Sequence, residues 1–143
     1  MAIVEESIHI KCPVDRVFTY TTEAKKWPNW QSILPKAEQT SQGTMCIGSK
    51  FKGIVRMMGL SMKWTAEVTD YKPNIKWTKN ITCRGMRIAE HVTYKPIEES
   101  VNFTIIYDMK VSWFMKLFSP MIARTMSKET TKSLAQLKSI LEA

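Results

Sequence analysis

Two ionisable residues lie where the pattern of the chain predicts burial. Lys79 and Glu90 each interrupt an alternating apolar run, on the side of the strand that should face the core. A buried charge is costly, and pairing lowers that cost without making the pair a stabilising element. Two interpretations are open. The residues could orient a ligand hydroxyl, carbonyl or carboxylate in a cavity, or they could form a structural ion pair or sit at a bulge that turns both to solvent.

The histidines and cysteines do not predict a catalytic or metal site. His9 and His91 fall at opposite ends of the pattern, and His91 is expected on an outward face beside Thr78. The sequence has no HExxH motif and no paired Cys/His spacing typical of zinc or iron–sulfur sites. Its five glycines form no loop that could cradle a phosphate. We therefore expect neither a metal nor a cofactor, and an enzyme is less favoured than a binding protein.

Length and composition indicate one globular domain over residues 1–143. Apolar residues make up 44% of the chain, and no apolar run approaches the roughly 20 residues that span a bilayer. The net charge of +8 is spread along the chain without a basic cluster, so we expect no nucleic-acid partner. Ten methionines are unusual, and methionine suits surfaces that adapt to an irregular apolar partner.

The three cysteines predict a reducing compartment. Cys12, Cys46 and Cys83 are widely spaced and odd in number, which is typical of free thiols. The N-terminal segment carries two early glutamates and lacks the basic region of a signal peptide. The expected location is the cytoplasm.

The central part of the chain predicts antiparallel strands with one apolar face each. A two-residue turn at Met58-Gly59 pairs residue 57 with 60, 55 with 62, 53 with 64 and 51 with 66, and every pair falls on the apolar face. Gly53 then faces Trp64, where the missing side chain leaves room for the indole. Such agreement between two faces specifies the register strongly.

Two further hairpins follow in the pattern. A turn over residues 71–74 would pair Val68 with Trp77, and a turn at Arg84-Gly85 would pair residue 77 with 92, 81 with 88 and 83 with 86. The second register sets Lys79 directly opposite Glu90. A last strand over residues 101–109 is expected to complete the sheet, and a strand over residues 2–10 to begin it.

The remaining segments predict helices. Asp15–Tyr20 and Thr22–Lys26 are expected as short helices, the second ending at Trp27-Pro28 because a residue before proline resists the helical region. The tail reads as one long helix, with Ser119 as its cap and Pro120 at its first position. One mostly apolar stripe follows that helix: Ile122, Met126, Thr130, Leu134, Leu137 and Leu141.

The aromatic segment before the tail does not share this stripe. The apolar residues of 113–118 point away from it on a helical wheel, so a separate short helix or a kink at Pro120 is expected. With Lys110 and Lys116 beside it, the segment would suit a cavity lid or contact with a membrane surface.

The order of these elements, with several short motifs, resembles the START-like superfamily (SRPBCC). The chain looks most like the branch named for polyketide cyclases/dehydratases and lipid transport. The residues that carry the resemblance are Ile10-x-x-Pro13-x-x-x-Val17-Phe18, Trp27-Pro28-x-Trp30, Gly48-x-x-Phe51, Val68, Pro73 and Leu134-x-x-Leu137-Lys138-x-x-Leu141-Glu142.

This resemblance implies an α+β helix-grip fold. A bent seven-stranded antiparallel sheet would wrap a long C-terminal helix, with two short helices after the first strand and a cavity between helix and sheet. Members of the superfamily carry or sense lipids, sterols, quinones and polyketides, some are cyclases, and some assist other proteins. In the cyclase branch a few polar side chains fold a reactive chain, and Lys79, Glu90 and Tyr107 would be the candidates here.

We therefore expect a carrier or sensor of a hydrophobic small molecule, with a cyclase-type enzyme or a partner-binding accessory protein as alternatives. The expected lid residues are Trp113, Phe114 and Phe118. The expected ligand-binding residues are Phe51, Met57, Met62, Trp64, Trp77, Lys79, Ile88, Glu90, Phe103, Tyr107, Ile122 and Met126.

Overall fold

A computed structural model describes residues 2–111 and 113–143, together with their side chains except those of 113–115. The strands are β1 (Ala2–Ile10), β2 (Lys36–Gln39), β3 (Lys50–Met57), β4 (Leu60–Lys72), β5 (Lys76–Cys83), β6 (Met86–Ile97) and β7 (Ser100–Val111). The helices are α1 (Val14–Thr21), α2 (Trp27–Trp30) and α3 (Ser119–Leu141), with 3₁₀ turns at Ala24–Lys26 and Trp113–Phe118.

The seven strands form one antiparallel sheet in the order β1-β7-β6-β5-β4-β3-β2. This arrangement, with α3 after the last strand and the short helices after β1, is the predicted helix-grip fold. In this order β1 and β2 are the edge strands, and β1, the first strand of the chain, pairs with β7, the last one. Helix α3 packs mainly against β1.

The two hairpin registers derived from the Met58-Gly59 and Arg84-Gly85 turns are confirmed. Residue 57 pairs with 60, and 51 with 66, while residue 83 pairs with 86 and Lys79 with Glu90. Both turns need a backbone that few side chains favour, since φ is +53° at Met58 and +40° at Arg84, followed in each case by a glycine at +77°.

The predicted register between β4 and β5 is wrong. Val68 pairs with Lys79, and Trp77 pairs with Tyr71. The main cause is the position of the turn, because Lys72 pairs with Lys76 and the turn covers residues 73–75 instead of 71–74. An irregularity in β4 between Val68 and Asp70 then adds one residue to that strand and changes the register by one position.

Two predicted helix boundaries are wrong as well. Trp27 has helical angles (φ −55°, ψ −42°) despite preceding a proline, and Pro28 occupies the first turn of α2, where its missing N–H costs nothing. Ser119 is not a cap, because Phe118 is already near helical angles and α3 has no side-chain cap hydrogen bond. The chain therefore enters α3 from the preceding 3₁₀ turn, which confirms a separate short helix at 113–118.

The apolar stripe of α3 is buried as predicted, from Ile122 to Leu141. Polar contacts fix the same helix to β1. The Glu6 carboxylate accepts a hydrogen bond of 2.7 Å from the Ser127 hydroxyl. At the C-terminal end of the helix, Glu142 accepts one of 2.7 Å from the Lys11 backbone N–H. These contacts hold the middle and the C-terminal end of α3 against the edge of the sheet.

Replacing Gly53 by alanine should destabilise the protein. A Cβ at this position would lie 2.1 Å from the Lys36 carbonyl oxygen and 2.7 Å from the Trp64 indole, so backbone and side chain would both have to move. Overpacking of this kind costs about 1–3 kcal/mol in the free energy of unfolding, measurable by urea denaturation. Thr65→Ala, at an exposed site of the neighbouring strand, is the control, and equal stability of the two variants would contradict the close packing.

Candidate functional site

Lys79 and Glu90 form a buried ion pair on the concave side of the sheet. The Lys79 Nζ lies 3.3 Å from Glu90 Oε1, and the two side chains are 4% and 6% exposed. Their strands pair with these two residues directly opposite each other. The bulge alternative is therefore excluded, and an ion pair is formed inside the protein.

Three tryptophans surround the ammonium group of Lys79. Its Nζ lies 3.6 Å from the ring centroid of Trp27, 5.3 Å from that of Trp77 and 5.6 Å from that of Trp64. An ammonium over an indole face is attracted to the negative side of the ring, and more strongly where water is excluded. The tryptophans thus offset part of the cost of burying the charge.

A chain of hydrogen bonds holds two of these tryptophans in place. The Trp77 indole donates to the Tyr94 hydroxyl at 2.8 Å, and that hydroxyl lies 2.6 Å from the Thr21 hydroxyl. The Trp27 indole donates to the Thr21 carbonyl at 2.8 Å. The rings of Trp27 and Trp77 stack nearly parallel, 6.2 Å apart. Residues from α1, α2 and the sheet therefore fix the surroundings of the ion pair.

An apolar cavity of about 60 Å³ adjoins the pair, between the sheet, the segment after α2 and helix α3. Eight of the predicted ligand-binding residues line it: Met57, Met62, Trp64, Lys79, Ile88, Glu90, Tyr107 and Met126. Small-molecule sites commonly measure about 300–1,000 Å³. The cavity must therefore enlarge to admit a ligand of ordinary size.

The other predicted site residues lie elsewhere. Four of them are buried but do not line the cavity: Phe51, Trp77, Phe103 and Ile122. Phe51 packs on Trp27, with ring centroids 5.2 Å apart. Phe118 is half exposed and is not part of the cavity wall. The side chains of Trp113 and Phe114 lie outside the described residues, so their role as a lid stays a prediction.

Several residues of the site are not predicted by the sequence pattern. Trp27 is expected at the end of a short helix and not in the ligand site, yet its ring is the nearest of the three indoles to the Lys79 ammonium. Gln31 is buried and lines the cavity, and the partly buried Ile33 and Leu34 line it as well. The compact Trp27-Pro28-x-Trp30 segment was a usable signal, since two large aromatic residues beside a proline need a surface to cover.

Burial changes the acid–base properties of two side chains on the cavity wall. Desolvation lowers the pKa of the Lys79 ammonium, and the neighbouring Glu90 carboxylate opposes this change. Desolvation, together with the charge of Glu90, raises the pKa of the Tyr107 phenol well above its usual value. Tyr107 is therefore a neutral hydrogen-bonding group at physiological pH.

The arrangement can bind an apolar molecule and recognise a polar group on it. The indole N–H of Trp64 is buried and has no hydrogen-bond partner among the described residues. An acceptor atom on a ligand would satisfy such a donor.

Within the same described part of the chain, no three His, Cys, Asp or Glu side chains cluster as metal ligands would. The three cysteines are all unbridged.

Replacing Glu90 by glutamine should destabilise the protein by about 3–5 kcal/mol at pH 7, because the buried lysine loses its counter-charge. The folded-state pKa of Lys79 lies below its unfolded value. The unfolded chain therefore binds more protons between those two values, and the contribution of Lys79 to the free energy of unfolding rises with pH through this window.

The decrease in the free energy of unfolding caused by Glu90→Gln should accordingly become smaller as the pH is raised from about 7 toward about 10, near the ordinary pKa of a lysine. Urea denaturation across this range measures it. Glu67→Gln, at an exposed site on β4, is the control. A loss that stays constant with pH would show that the glutamate does not stabilise a charged lysine.

Comparison with solved structures supports the fold over nearly the whole chain. A START superfamily protein from Mycobacterium smegmatis has a TM-score of 0.83 and 12% identity, covering 98% of this chain and 97% of its own. The Zhui aromatase/cyclase from Streptomyces sp. R1128 has a TM-score of 0.83 and 13% identity, with coverages of 99% and 93%. A protein from Thermus thermophilus has a TM-score of 0.82 and 13% identity, with coverages of 96% and 95%.

At such low identity these structures establish the fold alone. A search of curated protein sequences gave no significant match. None of the helices in the described part of the chain has the length and apolar character needed to cross a membrane. Residues 1–142 match the family described as polyketide cyclase / dehydrase and lipid transport, and the chain belongs to this family.

Proposed function

We propose that this protein binds a hydrophobic small molecule, as a carrier or sensor, in the cavity between the sheet and α3. The observation that carries the proposal is an apolar cavity with a buried ion pair on its wall. A cavity wall of this kind gives affinity through its apolar surface and orientation through a few polar groups. The ligand class that fits is a lipid, quinone or polyketide-like molecule with at least one polar atom.

Flexible side chains would allow the cavity to enlarge. Four methionines contribute to its wall: Met57, Met62, Met86 and Met126. Methionine has three rotatable side-chain bonds and no branching, so it can repack around an irregular molecule at low cost. Ile33 and Leu34, which follow α2, are only partly buried and would be displaced first.

A cyclase-type enzyme in the same cavity is the second candidate. The observation in its favour is that Lys79, Glu90 and Tyr107 all line one wall, so three polar groups could meet one substrate chain. Conversion of a β-keto chain by the purified protein, lost in Glu90→Gln, would favour this candidate over a carrier.

The direct test is native mass spectrometry of the purified protein, followed by extraction and identification of what is bound. We expect one hydrophobic molecule per chain, or stoichiometric uptake of oleic acid or ubiquinone-1 when these are added. A chain that remains empty after both additions would contradict the proposal.

A variant with a filled cavity should lose this binding. Met126→Trp adds bulk to the cavity wall, and we expect about tenfold weaker binding of oleic acid, measured by tryptophan fluorescence titration. Lys128→Trp adds the same side chain to an exposed site on the same helix and serves as the control. Circular dichroism melting of both variants separates lost binding from lost folding.

A further inference from the structure

One end of the sheet gathers the turns that lie closest to the cavity. Because adjacent strands alternate in direction, the β3–β4 turn, the β5–β6 turn and the exit of β7 toward α3 all lie at this end. Pairing of β4 with β5 begins at Thr65 and Thr82, so the tip of the β3–β4 hairpin projects past the end of β5. We call this the α3-entry end.

Exposed apolar side chains are concentrated at the α3-entry end. Met58 and Leu60 lie at the β3–β4 tip, and Leu117, Phe118 and Met121 lie where the chain enters α3. Leu117 is the most exposed of them, at 87%. Exposed apolar groups on separate tips suit insertion into a soft apolar phase better than docking against a flat protein surface.

The residue types at the two turns are unusual for their backbone. Hairpin turns with two residues at positive φ favour Asn-Gly or Asp-Gly. Here the first positions are Met58 and Arg84, one apolar and one cationic. At the opposite end, the left-handed positions are Asn74 and Glu98. At the α3-entry end these turn positions therefore present an apolar and a basic side chain outward, whereas Glu98 at the opposite end presents an acidic one.

Basic side chains accompany the apolar ones. Six exposed cations lie within a few residues of these tips: Arg56, Lys63, Arg84, Arg87, Lys110 and Lys116. In the part of the chain that the structure describes, none of the six has a carboxylate within 4.0 Å. Asp108, close to Lys110, is only partly exposed. The opposite end carries cations as well, Lys72, Lys76 and Lys95, but there Glu98 and Glu99 of the β6–β7 turn offset part of their charge.

We propose that the α3-entry end docks on an anionic lipid bilayer. Cations near a negatively charged surface and apolar side chains inserted at its boundary act together in peripheral binding. The turn residues are flanked by cavity-lining side chains, since Met57 precedes Met58 and Met86 follows Gly85. Docking would therefore bring the cavity close to the bilayer, so that a hydrophobic ligand could transfer without crossing water. This last step rests on the proposed function.

Vesicle co-sedimentation tests the docking. Phosphatidylcholine vesicles are compared with vesicles containing about one third phosphatidylglycerol, in about 0.1 M NaCl. We expect binding to the anionic vesicles only, and weaker binding as salt is raised. Equal binding to both compositions, or binding to neither, would overturn the proposal.

Two variants separate the charge from the apolar contribution. Arg84→Glu/Lys116→Glu should weaken binding to anionic vesicles by at least about tenfold, since each cation contributes roughly fivefold. Met58→Ser/Leu117→Ser should weaken it by about tenfold through lost insertion. The controls are Lys95→Glu and Ile97→Ser, at exposed sites near the opposite end. Unchanged binding in both test variants, or equal loss in the controls, would count against the docking surface.

Two further readouts distinguish this proposal from others. Sedimentation velocity without lipid should show a monomer, and a dimer abolished by Met58→Ser/Leu117→Ser would assign the surface to a second copy of the chain and overturn membrane docking. Oleic acid binding in vesicle-free solution should be unchanged in the same variant. Lost vesicle binding with retained oleic acid binding supports docking as a separate property, whereas a wild-type protein that binds oleic acid but no vesicles refutes docking alone.

Discussion

The buried ion pair between Lys79 and Glu90 constrains how the residues around the cavity are arranged. Lys79 and Glu90 are nearly inaccessible to water, and an unpaired charge at either position would be severely destabilising. The pair can form only if β5 and β6 keep their register, because a slip of one residue would place the two side chains on opposite faces of the sheet. The Lys79 ammonium also needs a favourable contact outside the sheet, and the Trp27 indole of α2 provides it. The buried charge of Lys79 therefore couples the position of the short helices to that of the strands.

The Thr21–Tyr94 contact extends this constraint across the fold. Tyr94 receives a hydrogen bond from Trp77 on the sheet and meets Thr21 at the end of α1. Its pKa is raised because its phenol is buried, so it remains a neutral group in the network. Helix α1 is therefore held by polar contacts as well as by the apolar residues Val17 and Phe18. These fixed side chains contrast with the methionines of the cavity lining, which can change rotamer.

This division between fixed and adaptable side chains would be the physical basis of the proposed ligand binding. Aromatic and hydrogen-bonded residues hold the ion pair in one place, while Met57, Met62 and Met126 fill space that a ligand could take. The cavity measures only about 60 Å³, and these side chains line it. Related folds at 12% and 13% identity share the scaffold, but side chains at the wall decide which molecule fits, and those are specific to each chain.

The sequence by itself determined the elements and much of the pairing. Two-residue turns and strict alternation left one register for β3 with β4 and one for β5 with β6. The position of Lys79 directly opposite Glu90 could therefore be predicted from the sequence alone. The stripe from Ile122 to Leu141 similarly identified the buried face of α3. These features depend on local spacing, which the sequence displays directly.

Tertiary structure decided what local spacing cannot express. The β4–β5 turn lies at residues 73–75 instead of 71–74, and the irregularity between Val68 and Asp70 changes the register by one position, because a bulge depends on how the sheet bends rather than on residue type. Trp27 reached Lys79 from a distant part of the chain, and Gln31 reached the cavity in the same way. Contacts between elements far apart in sequence arise only when the short helices close over the sheet, and those contacts decide which predicted residues line the cavity and which fill the core behind it.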